Sequence, residues 1–334
     1  MSEAKVLDAK TLGSKPVVVK TDVVKTVDVN TADMTALLRS VAAEGMPLSG
    51  GGQTPVRHAR LMDLGRQNLP LARLAEAHFD AVAILAEARR QPEKGALYGV
   101  WASEIPGEEL SLSGGAINGV KRFCSGAGIV DRALITVGGP EPLLVDLDLR
   151  ENPGIHFDES DWKTNALIET HTTTATFAGM PVAADEVIGP PGWYLDRLGF
   201  WRGAIGPAAC WAGGAEGLVD YAAHQKRNDP HTMAHFGAMH SSVWALRSYL
   251  ESAGREIDKD TNTFARARIL ALTVRHLVEQ SCTDILRRLT RAYGPHPLVS
   301  NSEVSRRYLD LDLYLRQSHA ERDLETLGRA LRES

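Results

Sequence analysis

The chain has 334 residues, 43% hydrophobic and 24% charged, with a formal net charge of −5 at pH 7. That is ordinary globular composition over a length of about two domains, and the acidic balance excludes an overall basic footprint for nucleic acid. No apolar run approaches the ~18 residues needed to cross a membrane. The three cysteines, Cys124, Cys210 and Cys282, are scattered and form no C-x-x-C, which argues against a disulfide framework or a cysteine zinc site. The opening MSEAKVLDAK lacks the apolar stretch of a signal peptide, so the expected location is the cytoplasm.

Residues 1–30 mix Lys and Val with Asp and Thr, show no helical face, and read as a mobile arm or one loosely docked strand. Asn30 to Asp33 offer an N-cap before Met34, Leu37, Leu38 and Val41, whose spacing predicts a helix stopped by Gly50-Gly51-Gly52. Helices over about 58–68 and 71–90 follow, the second with Leu74, Ala77, Val82 and Leu85 as its inward set, so 31–95 forms a short helical domain. The texture changes after Gln91-Pro92-Glu93-Lys94-Gly95. Over 96–190 short apolar runs are cut by Gly, Pro and Asn. Strands are predicted at 110–113, 133–137, 143–147 and 172–178, with Asn118-Gly119 as a hairpin turn, which gives an antiparallel β barrel or sandwich. From 191 to 334 the pattern is helical, with long helices over about 201–227, 263–293 and 302–332. Between the first two of these, Met239, Val243, Leu246, Leu250, Ala253 and Ile257 repeat at bundle-seam spacing. The class is α+β and multi-domain: a short N-terminal helical segment, a β barrel or sandwich, and a C-terminal four-helix bundle.

Four strings in that order resemble the acyl-CoA dehydrogenase family of flavoproteins. Val100-Trp101-Ala102-Ser103-Glu104 resembles the family's "T-E-P" strand. The run from Gly115 through Lys121, Arg122, Phe123 and Cys124 to Ser125 is similar to its "L-N-G-x-K-x-W-I-T/S" hairpin. Residues 174–189 resemble its exit from the β domain, and Arg202, Ala208 to Tyr221 and Arg227 resemble its first bundle helix. The likeness covers about residues 60–332. It implies FAD at the junction of the β domain and the bundle, often completed by a second subunit, and hence a homo-oligomer. By position, Trp101, Ala102 and Ser103 match the strand along the flavin, and Phe123 and Ser125 match the Trp and the hydroxyl that reaches the flavin N5 edge. Arg227 matches an arginine that meets the cofactor diphosphate of a neighbouring subunit. A flat apolar wall, hydroxyl donors and a guanidinium are what a flavin asks for.

The departures from that family carry as much information. The N-terminal helical domain is shortened and the loop after Ser103-Glu104 is trimmed. Desaturation of a thioester needs a carboxylate base, yet Gln317 stands at one family position for it and Trp201 at the other, with Glu321 and Asp196 a few residues away. His319, beside the expected flavin, reads either as a proton-handling group or as a buried, satisfied histidine. His231 and His235 are at i, i+4, but no third ligand stands at a fixed spacing, so no metal is expected. Trp201 and Trp211 read as ligand-stacking or core residues. The glycines from Gly203 to Gly217 read as close approach to a cofactor or as tight helix packing, and Arg306, Arg307 and Asp310 as a phosphate site or structural ion pairs. Three functions follow. One is an acyl-CoA dehydrogenase-like FAD oxidoreductase acting on an acyl thioester or related small substrate. Another is a flavin-dependent monooxygenase on the same fold, in which reduced flavin meets oxygen and the carboxylate is not required. The last is a non-catalytic relative. No nucleic-acid or membrane partner is expected.

Overall fold

Helices open the described part of the chain. The structure is a computed structural model describing residues 31–105, 107–150, 152–259, 261 and 263–333; the arm expected over 1–30 lies outside them. Helix α1 (Thr31–Ala43) buries Met34 and Leu38. It ends well before the glycine triplet, at Gly45, whose φ of +68° breaks the helix. Helix α2 (Thr54–Gln67) carries a proline in its first turn but no capping bond from Gln53. A carboxylate from far along the chain supplies that cap. Asp258 accepts from the Thr54 N–H at 2.8 Å and the Gly52 N–H at 3.1 Å. Asn68 then caps α3 (Leu69–Glu87), accepting from the Leu71 N–H at 2.9 Å.

The β region is two four-stranded sheets. One takes the order β1 (Tyr98–Trp101), β4 (Arg132–Val137), β5 (Leu143–Asp148), β8 (Val187–Ile188). The other takes β2 (Ser111–Ser113), β3 (Ala116–Cys124), β7 (Thr173–Pro181), β6 (Ile155–Asp158). All pairings are antiparallel except β1 with β4, which is parallel. The expected all-antiparallel domain is corrected there. The chain leaves β1 to build the β2–β3 hairpin in the other sheet and returns in the original direction. The hairpin turn also differs from expectation. Ser113 pairs with Ala116, so the two-residue loop is Gly114-Gly115, both at positive φ. Asn118-Gly119 lies inside β3 at a bulge, with Gly119 at φ +124°. Two adjacent glycines meet the left-handed demand of a tight turn better than Asn-Gly, and the register follows them.

Helices α4 (Trp193–Asp196), α5 (Leu198–Gly203), α6 (Gly206–Ala223), α7 (Pro230–Ile257), α8 (Phe264–Tyr293), α9 (His296–Ser300), α10 (Ser302–Leu315) and α11 (Glu321–Glu333) complete the chain. The first expected long helix is thus broken before Gly206-Pro207, and the last is broken at 316–320, where Ala320 takes φ +46°. All six seam residues of α7 are buried, in a helical core shared with α2, α6, α8 and α10. A second core fills the space between the sheets and α1 and α3, and includes Trp101, Ile117, Ile135 and Phe177. α2 and α6 cross backbone to backbone. A Cβ on Gly65 would stand 2.5 Å from the Cys210 carbonyl oxygen and one on Gly213 2.7 Å from the Arg66 amide nitrogen, so both glycines at this crossing serve tight packing. Among the described residues no helix is long and apolar enough to cross a membrane.

Candidate functional site

A cavity of about 490 Å³ opens between α3, the end of β1, the bulged end of β3, α5, α8 and the break before α11. That volume is typical of a small-molecule site. Ala102, Ser103, Phe123, Gln317 and His319 all line it, so residues more than two hundred positions apart in sequence meet at one cavity. β1 is an edge strand, so one side of its backbone is left free by the sheet. Two register shifts along the β3–β7 pairing end with Phe123 at φ +61°, 52% exposed at the cavity. A bulky side chain in the left-handed region is strained, and such strain gathers at functional sites.

Two expected flavin contacts are placed elsewhere. Trp101 is buried, its indole N–H donating to the Ser125 carbonyl at 3.0 Å and its ring set edge-on to Phe157. The Ser125 hydroxyl is committed to a chain of bonds. Thr170 donates to the Leu167 carbonyl at 2.7 Å, so Thr172 donates to Thr170 and Ser125 donates to Thr172, each at 2.8 Å. The Arg73 guanidinium donates to the Ser125 oxygen at 2.8 Å, which leaves no Ser125 proton for a ligand. Sheet pairing turns Trp101 into the core, Ser125 sits in the turn after β3 between Arg73 and Thr172, and the bulge turns Phe123 out. Arg227 is half exposed and bonded to Asp229 at 2.7 Å, away from this cavity.

The Gln317 carboxamide oxygen, set toward the cation as the bonding network requires, accepts from both Arg73 Nη atoms. Its backbone carbonyl accepts from Arg275 at 3.0 Å. Arg73 also lies over the Tyr314 ring and Arg275 over the Trp211 ring. His319 is exposed rather than buried. Asp323 accepts its backbone N–H at 3.1 Å and stands 3.3 Å from its Nδ1. Trp201 lines the wall against Phe200, and its buried Nε1 has no hydrogen-bond partner.

Glu76 and Asp80 on α3, with Tyr194, Arg197, Arg275 and Asp323, also line the cavity and escape the motif search. Burial, reinforced by Asp80, pushes Glu76 up to about 8, against the pull of Arg57, Arg73 and Arg275. Burial also raises Tyr194. The one sequence signal for Glu76 is an acid in mid-helix among Leu74, Ala75 and Ala77. Arg306, Arg307 and Asp310 are structural. Arg306 pairs with Glu169 at 2.6 Å, Arg307 donates to the Arg66 and Gln67 carbonyls at the end of α2, and Asp310 accepts from the Leu167 N–H. Among the described residues no group of three or more His, Cys, Asp or Glu could hold a metal ion.

No protein-family model matches this sequence, and none of the curated proteins does. Solved structures do. TdsC from Paenibacillus sp. A11-2, a dibenzothiophene monooxygenase, solved with FMN and indole, superposes with a TM-score of 0.76 at 18% identity, covering 89% of each chain. KijD3, solved with FMN and a dTDP-linked amino sugar, gives a TM-score of 0.71 at 16% identity over 90% of this chain and 91% of that one. Methanesulfinate monooxygenase MsuC from Pseudomonas fluorescens gives 0.69 at 18% identity, over 91% of this chain and 95% of that one. The chain has the acyl-CoA dehydrogenase-like fold of these structures.

Proposed function

We propose that this protein is a flavin-dependent monooxygenase of small molecules. The observation that carries the reading is Gln317. The position where a desaturase needs a carboxylate base holds a carboxamide, fixed by Arg73 through its side chain and by Arg275 through its carbonyl. A flavin fits the residues present. Trp201 offers an aromatic wall, Phe123 an exposed flat face held in a strained backbone, and Ala102 and Ser103 the stretch of chain just past the end of edge strand β1. Those four residues would hold it. When bound and reduced, a flavin supplies the electrons that activate molecular oxygen. The remaining tasks fall to the chain. Tyr194, Phe200 and Leu272 exclude water, and the His319 imidazole, beside Asp323 at the cavity, holds or passes a proton.

FAD needs its diphosphate met, and Arg227 serves that only across a subunit boundary, so FAD goes with a homo-oligomer built on the bundle of α6, α7, α8 and α10. FMN has no diphosphate to be met and is the flavin in TdsC and KijD3. The mass of the flavin released on denaturation separates the two. A second reading, dehydrogenation of an acyl thioester, rests on Asp80, a carboxylate in the cavity wall able to act as base. Anaerobic mixing with acyl-CoA bleaches the flavin under that reading. Under the monooxygenase reading acyl-CoA leaves it oxidised, and a chemically reduced sample consumes oxygen. A protein that takes up no flavin is the non-catalytic relative.

Phe123→Gly separates strain from function. Relief of the left-handed conformation is expected to stabilise the fold by about 1 kcal/mol in urea titrations. Loss of the ring is expected to weaken flavin binding about tenfold. Lower stability with unchanged flavin affinity contradicts the assignment.

A further inference from the structure

The deep end of the cavity is acidic and unsatisfied. Glu76 and Asp80 project from successive turns of α3. Glu76 is only 9% exposed, yet it lines the cavity. Among the described residues neither carboxylate takes a hydrogen bond or an ion pair. The facing wall keeps room for them. A Cβ on Gly206 would stand 2.6 Å from Glu76 Oε1, and one on Gly203 the same distance from Asp80 Oδ1. Buried carboxylates are ordinarily paired, and a pair left open toward a cavity points to a ligand that completes it.

The cations around the pair are engaged elsewhere. Arg57 donates to the Pro47 carbonyl, Arg73 to Ser125 and Gln317, Arg275 to the Ala204 and Gln317 carbonyls, and Arg197 to Glu87. Their positive charge opposes protonation of Glu76, and none of them bonds to either acid. Beside the acids stand Tyr194, Phe200, Trp201 and Leu272, an apolar and aromatic wall. We propose that Glu76 and Asp80 form a subsite for a basic nitrogen, so that the substrate of this cavity is an amine with an apolar or aromatic body. This rests on the cavity being the reaction site assigned above and adds the class of substrate.

Calorimetric titration with three probes of similar size tests it: 2-phenylethylamine, 2-phenylethanol and 3-phenylpropionate, on flavin-treated protein at neutral pH. The amine is expected to bind at least about tenfold more tightly than the alcohol, with the carboxylate weakest. Asp80→Asn and Glu76→Gln are each expected to bring the amine close to the alcohol. Equal affinities, a preference for the carboxylate, or no binding of any probe overturns the subsite. The series on unaltered protein decides the matter even where a variant fails to fold. The visible spectrum of the same samples separates the two readings. A flavin band without amine preference removes the subsite alone. Amine preference without a flavin band removes the flavin and leaves the subsite standing.

Discussion

Gly213→Ala is expected to destabilise the protein by about 3 kcal/mol or to prevent folding. The α2–α6 crossing has no room for a side chain. A Cβ at position 213 meets the Met62 carbonyl oxygen, with the Arg66 amide nitrogen at 2.7 Å and the Gly65 Cα at 2.9 Å. These are backbone atoms on a packed helix, so relief requires α2 itself to retreat, and α2 anchors Leu61 and Met62 in the helical core. Alanine in mid-helix is intrinsically favoured over glycine by about 1 kcal/mol, which offsets part of the loss. Gly237→Ala on α7 is the control. Nothing stands within 4 Å of a Cβ there, so the same substitution is expected to stabilise by about 1 kcal/mol. Urea denaturation of both variants checks the pair, and equal shifts of the two midpoints contradict the account.

The second large effect is with pH. His58 and His78 are buried, and burial pushes each down to about 4. The His58 Nδ1–H donates to the Leu250 carbonyl at 2.9 Å, while His78 Nδ1 accepts from the Tyr98 N–H at 3.1 Å. Protonation charges the first ring in an apolar site and removes the acceptor from the second. The unfolded chain binds these protons near the ordinary value of 6.5, the folded chain only near 4. Their contribution is therefore complete above pH 6.5 and is lost as pH falls toward 4, by about 2 kcal/mol per histidine on reaching pH 5. Glu76 acts in the opposite sense, because a carboxyl raised to about 8 keeps its proton in the folded chain across this window while the unfolded chain takes one up only near 4.5. The readout is therefore the difference between the protein and His58→Gln. The variant is expected to lose less stability between pH 7 and pH 5, and parallel curves refute the assignment.

Much of the helical architecture is legible in the sequence, because apolar spacing reports burial directly. The α7 seam is buried as its periodicity implies, and on the Val304, Tyr308, Leu311 and Leu315 stripe of α10 all are buried except Tyr308, which is half-buried. Helix ends are less legible. The cap of α2 comes from Asp258, and nothing near Thr54 in the sequence announces it. The strands at 132–137 and 143–148 follow from compact apolar runs, whereas the parallel pairing of β1 with β4 depends on a hairpin leaving for the other sheet. At the site, the resemblance brings Ala102, Ser103, Phe123, Gln317 and His319 to one cavity. It misplaces Trp101 and Ser125 because sheet pleating and a β-bulge, invisible in a motif, decide which side chains face inward. Glu76 and Asp80 have no motif at all, since only the packing of α3 against α5 and α6 makes them part of a wall.

The central claim is that this cavity binds a flavin through Phe123 and Trp201. The purified protein is incubated with FMN and, separately, with FAD, then desalted, and its visible spectrum is recorded alongside that of Trp201→Ala. The account predicts a retained flavin band in the protein with at least one of the two flavins, and loss of most of it in the variant. A colourless protein after both incubations, or a variant that keeps the full band, would contradict it.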